Sequence, residues 1–135
     1  MGEGVLTRVA DRVGTPVYVY DAAYIRERYR RLTTTLGARF RHHIHFAVKA
    51  NSNLAVLRQL QALGAGADIV SIGELTRALR AGFAGEDIVF SGVGKRPDEL
   101  DAALDAGVGL INVESAGEVA AIAAAAARRS TTARI

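Results

Sequence analysis

The stretch Ala67-Asp68-Ile69-Val70-Ser71-Ile72-Gly73-Glu74-Leu75-Thr76-Arg77-Ala78-Leu79-Arg80-Ala81-Gly82 carries one complete structural unit. Ala67 to Val70 is a short apolar run that reads as a strand. Ser71-x-x-Glu74 then matches a capping box, in which a serine hydroxyl and a glutamate satisfy the first free N–H groups of a helix. Glu74 to Ala81 follows as that helix, and Gly82 stops it. Ile88 to Phe90 opens the next strand.

Outward from this unit the pattern repeats. Upstream, Val17 to Tyr20 is a short β-type run, Asp21 stands at an N-cap position, and Ala22 to Leu36 is a helix ended by Gly37. His43 to Val48 is a strand, followed by a helix over Leu54 to Leu63 and Gly64 as its stop. Downstream, Pro97 to Ala106 is a helix with proline in its first turn. Leu110 to Val113 is a strand, Ala116 to Arg129 an alanine-rich helix, and Ala133 to Ile135 the start of another strand. The strand ends fall near Lys49, Ser71, Ser91 and Ser115, about 20 to 24 residues apart. That period suits a (β/α) TIM-type barrel, whose eight units take about 250 residues. The expectation is therefore an α/β chain holding about half of such a barrel, truncated inside a longer protein. The alternative is an open doubly wound sheet, which this length can complete. No G-x-G-x-x-G follows the first strand, and Gly92-Val93-Gly94 is too short to count.

Composition narrows the function. Half of the 135 residues are hydrophobic and 23% are charged, so the chain can bury a core. The absence of cysteine removes disulfides and thiolate metal sites and fits a reducing compartment such as the cytoplasm. No apolar run follows a basic start, so no signal peptide is expected, and none reaches the roughly 18 residues of a membrane helix. The net charge is +3, but the arginines are scattered over helices and aromatics are only 6%. A nucleic-acid partner is not expected from that pattern.

In a (β/α) barrel the chemistry sits at the carboxyl ends of the strands. Lys49 ends the run His43-Ile44-His45-Phe46-Ala47-Val48. Alternation puts Ile44, Phe46 and Val48 on one face and His43, His45, Ala47 and Lys49 on the other. On that reading Lys49 points into the barrel mouth, where burial lowers an amine's pKa and suits it to attack an aldehyde. The competing reading is a strand-end cation that simply reaches solvent. His43 and His45 lack a third ligand, so no metal site is expected. Asp68, inside an apolar strand, is a candidate buried carboxylate near the lysine or its cofactor, or else a paired structural aspartate. Ser71, Glu74 and Ser115-x-x-Glu118 read first as helix starts, which also present N–H groups to anions. Asn112 and Glu114 end the fourth strand.

These residues resemble a known family. Phe46-Ala47-Val48-Lys49-Ala50-Asn51-Ser52-Asn53 is similar to the lysine motif of the diaminopimelate decarboxylases, which belong to the alanine-racemase-like, fold-type III pyridoxal-phosphate enzymes. Four further segments resemble the same family in the same order: residues 15–21, 66–75, 90–95 and 111–115. The resemblance implies pyridoxal 5'-phosphate anchored on Lys49, with Asp68 near the cofactor ring and Glu74 in the same segment. It implies decarboxylation of meso-2,6-diaminopimelate to L-lysine, an amino-acid substrate and a homodimer at full length. It also implies that residues 1–20 carry a strand of a separate β-domain, that residues 21–135 are the first half of the barrel, and that the family's phosphate loop and ring-nitrogen partner lie downstream. Ornithine-type relatives usually have cysteine where Ala50 stands, and alanine racemases resemble Lys-Ala-Asn-Ala-Tyr-Gly after the lysine. Ornithine- or arginine-type decarboxylation and a non-catalytic pyridoxal-phosphate barrel remain the alternatives.

Overall fold

A computed structural model describes residues 2–135. Its elements are α1 (Glu3–Val13), α2 (Ala22–Gly37), β1 (His45–Ala47), a 3-10 turn (Val48–Ala50), α3 (Leu54–Gln61), β2 (Gly66–Ile69) and α4 (Ile72–Ala81). A second 3-10 turn (Gly85–Asp87) leads to β3 (Ile88–Phe90), α5 (Pro97–Asp105), β4 (Leu110–Ile111) and α6 (Ala116–Arg128).

The four strands form one parallel sheet in the order β1-β2-β3-β4. That order decides between the two architectures. A doubly wound sheet reverses its strand order at a switch point, whereas a barrel adds each strand beside the last. Here every strand pairs with its sequence neighbour: Phe46 with Ala67, Asp68 with Val89, Phe90 with Ile111.

One face of the sheet is packed. Ala67, Ile69, Ile88, Phe90 and Ile111 are buried with Leu57, Leu75, Leu100, Ala103 and Ile122 from the helices. Fully burying each large aliphatic or aromatic side chain among them contributes about 1.5–3 kcal/mol. The other parity, Asp68, Val89 and Ser91, is only half-buried. At the amino-terminal end of the strands the backbones come very close. A Cβ at Gly66 would lie 2.3 Å from the His45 ring and 2.5 Å from the Asp87 carbonyl oxygen. Only glycine lets β2 start there.

Several expectations are corrected. Val17 to Tyr20 forms no strand, and Tyr18 is 89% exposed. A strand needs a neighbour for its N–H and C=O groups, and none of the described residues pairs with it. Helix α1 was not anticipated. The first barrel strand stops at Ala47, because Val48–Ala50 coils into a 3-10 turn that sinks Val48 into the core. Alternation therefore does not extend to Lys49. Residues 133–135 form no regular strand, but Ile111 N–H donates to the Arg134 carbonyl at 2.9 Å, so the chain there runs along the edge of β4.

Candidate functional site

The carboxyl ends of the strands gather the residues singled out from the sequence. Lys49 sits in the turn after β1 and is exposed, not buried as the barrel-mouth reading expected. Two asparagines shape this loop. Asn51 Oδ1 accepts from Asn53 N–H at 3.0 Å, and Asn53 Oδ1 caps α3 through Ala55 N–H at 2.8 Å. Arg77 of α4 donates to the Ser52 carbonyl at 3.0 Å. The motif around Lys49 thus does local backbone work, and among the described residues nothing hydrogen-bonds or ion-pairs with its amine.

Asp68 is half-buried and partnered. Ser91 Oγ donates to Asp68 Oδ1 at 2.6 Å, and Asn112 Nδ2 donates to Ser91 Oγ at 3.0 Å. The three side chains form a polar row across β2, β3 and β4, on the parity that faces away from the helices. Ser91 and Asn112 were weakly marked in the sequence. The signal that unites them is that each is the first polar residue past an apolar strand.

His45 and His43 meet edge to face, with ring centroids 4.5 Å apart. Burial, helped by His43, holds the His45 imidazole below its ordinary value, while Asp68 and Asp87 pull it the other way. Among the described residues no three His, Cys, Asp or Glu groups come together to hold a metal ion.

Both capping boxes form, with a shared variation. Ser71 Oγ and Ser115 Oγ accept from Glu74 N–H and Glu118 N–H, each at 3.2 Å. Each glutamate reaches back one residue further than the standard box, Glu74 to Val70 N–H at 2.8 Å and Glu118 to Glu114 N–H at 2.9 Å. Buried Glu99 joins neighbouring helix starts by accepting from Arg96 N–H at 3.1 Å and Ile72 N–H at 3.3 Å.

Lys95, the chain's other lysine, stands in the sequence only as the end of the segment 90–95. Its side chain is 1% exposed. Its ammonium donates to the Gly92 carbonyl at 2.7 Å, the Asn112 carbonyl at 2.6 Å and the Glu118 carboxylate at 3.2 Å. Burial alone would raise the Glu118 pKa, but the Glu114 N–H and the Lys95 ammonium outweigh it and hold the carboxyl below its ordinary range. The available sequence signal was Gly92-Val93-Gly94, whose glycines adopt φ of 93° and 68° and curl the loop back on itself.

A singly wound parallel α/β sheet with an exposed lysine at one strand end and a polar row at the others defines a half (β/α) barrel with its mouth on one rim. Residues 22–135 match the family model for the pyridoxal-dependent decarboxylases, pyridoxal binding domain, and the chain belongs to that family. It is 53% identical over 118 residues to the diaminopimelate decarboxylase of Pseudomonas aeruginosa, covering 87% of this chain and 28% of the relative. It superposes with a TM-score of 0.91 on the diaminopimelate decarboxylase of Helicobacter pylori complexed with L-lysine, at 40% identity over 96% of this chain and 33% of that one. The lysine/ornithine decarboxylase of Vibrio vulnificus, at 24% identity and a TM-score of 0.84, shares the fold. The chain thus spans about a third or less of the length of these relatives.

Proposed function

We propose that residues 21–135 are the lysine-bearing half of a pyridoxal 5'-phosphate barrel in a cytoplasmic decarboxylase that converts meso-2,6-diaminopimelate to L-lysine and carbon dioxide. Residues 1–20 would belong to its β-domain, and the whole enzyme would be a homodimer. The observation that carries the reading is the contrast between the two lysines. Lys49, inside the family's motif, offers an exposed amine, unengaged among the described residues, at a strand's carboxyl end, whereas every N–H of Lys95 is committed.

The residues present fit the cofactor. An exposed amine can anchor an aldehyde, and Asp68, held by Ser91, supplies a fixed negative charge on the same rim. When bound, pyridoxal phosphate supplies an electron sink for the pair left by the departing carboxylate. In this reading Lys49 holds the cofactor and Asp68 orients it. The relatives' names support the substrate, as does the resemblance of Ala50-Asn51-Ser52-Asn53 to the diaminopimelate enzymes. The open edge of β1 supports continuation of the barrel: a groove of about 420 Å³ between α2, β1 and α3 is lined by Tyr24, Ile25, Tyr29, Leu32, Phe46 and Leu60. Apolar surface of that kind ordinarily marks a contact.

Borohydride reduction of the whole-length protein with pyridoxal phosphate, followed by peptide mapping, should place the pyridoxyl group on Lys49. A label on Lys95 rejects the assignment. Turnover of ornithine or arginine faster than meso-diaminopimelate rejects the substrate and leaves the anchoring lysine standing.

A further inference from the structure

We infer that Lys95 is a positioning residue for the barrel mouth: it holds Ser91 and Asn112, and through them Asp68, without touching a reacting atom. The inference rests on the proposed reading that this row faces the cofactor.

Ser91 N–H to the Ile69 carbonyl at 2.8 Å and Asn112 N–H to the Phe90 carbonyl at 2.9 Å are the last sheet-type bonds on β3 and β4. Past them strand pairing no longer fixes the chain, and two glycines with positive φ follow Ser91. Lys95 takes over at this point. An ammonium has three N–H donors and no acceptor. One donor goes to the carbonyl of Gly92, next to Ser91, and one to the carbonyl of Asn112 itself. The third is left for Glu118, whose other task is to hold Glu114 N–H. Asn112 is thereby gripped twice, by its carbonyl to Lys95 and by its side chain to Ser91.

Helix capping does not explain the lysine. The start of α4 is built from the same Ser-x-Gly-Glu string, with the same two hydrogen bonds, and among the described residues no ion pair forms at Glu74. The cation is added only where the ends of β3 and β4 must be held together. A buried, hydrogen-bonded cation is also costly to leave half-paired, so the clamp has one arrangement and little slack.

The test is a double-mutant cycle in the whole-length protein, with pyridoxal 5'-phosphate as the titrated probe. The variants are Lys95→Met/Glu118→Gln, Ser91→Ala and their combination. Removing the clamp should weaken pyridoxal phosphate binding by roughly tenfold, and in the Ser91→Ala background the further loss should shrink to under about twofold, because both changes break one chain. A purely structural lysine gives the same loss in both backgrounds, and that result overturns the inference. Hydrogen exchange supplies a readout independent of the cofactor. Amides of residues 91–94 and 112–114 should exchange faster in the clamp variant while α3 is unchanged. Exchange that stays at the wild-type rate in those segments overturns the inference as well. If Lys95→Met/Glu118→Gln does not fold, Glu118→Gln alone carries the same cycle with a smaller expected loss. Absence of the pyridoxyl label from Lys49 in the wild-type protein defeats the cofactor reading alone, and the exchange experiment still decides whether Lys95 holds the mouth.

Discussion

Two loops leave the same end of the sheet, and each carries one of the chain's two lysines. After β1, a 3-10 turn and two asparagine side-chain bonds hold the backbone tightly and leave Lys49 outside, with no partner among the described residues. After β3, two glycines with positive φ let the loop curl over, and Lys95 is swallowed among two carbonyls and a carboxylate. Both lysines follow an apolar strand, so position at a strand end does not separate them. What separates them is whether the local backbone spends the amine's donors inside the protein. An amine with spent donors holds structure, and one with free donors is available for chemistry.

The largest effect that tests this contrast is on stability. Lys95→Ala leaves Glu118 buried without its cation and should destabilise the fold by about 3–5 kcal/mol. Lys49→Ala removes an exposed side chain with no partner among the described residues and should stay within about 0.5 kcal/mol of the parent. Urea unfolding of the two variants measures both. Equal losses would erase the distinction between the loops.

A smaller effect sharpens the Lys95 side. The Glu118 carboxyl is held below its ordinary value of 4.5 in the folded protein. Its ionised form is therefore favoured by folding, and that contribution is present above pH 4.5 and lost as the pH falls through the lowered folded value. Glu118→Gln should flatten the acid limb of a plot of urea midpoint against pH between about 6 and 3. An unchanged limb would mean that Lys95 and Glu114 N–H do little for the carboxylate.

The smallest effect lies on the β1 side. His45 sits at the start of that strand with its ring across Gly66, and burial lowers its pKa below 6.5. The unfolded chain then binds the proton more readily, so stability is lost as pH falls below 6.5 towards the folded value. His45→Gln should remove that slope, read from thermal midpoints across pH 5 to 7. A slope that survives in the variant belongs to some other group.

Much of the architecture was legible in the residues. The helix stops at Gly64, Gly82 and Gly107 and the caps at Asp21, Ser71 and Ser115 are local signals, and the helices lie within a few residues of where those signals put them. β1 was read too long, because the apolar pattern of Phe46 and Val48 runs on through the 3-10 turn. The strand read at Val17 to Tyr20 finds no partner among the described residues, because pairing is a relation between segments and propensity alone cannot supply the second one. Asp68 stands out by its apolar surroundings, but its partner Ser91 and, through Ser91, Asn112 lie 23 and 44 residues further along the chain and join it only because the strands add in order.

The amino-acid sequence by itself determined the repeating strand and helix, the caps that start each helix, and the motif that singles out Lys49. These depend on neighbours within about one turn or one strand, where composition and spacing act directly. Tertiary structure alone decided that the strands run β1-β2-β3-β4, that Asp68, Ser91 and Asn112 form one row, and that Lys95 is buried while Lys49 is exposed. Those outcomes depend on which distant carbonyl or carboxylate the folded backbone brings within 3 Å or so of a donor, a distance set by the packing of whole strands and helices.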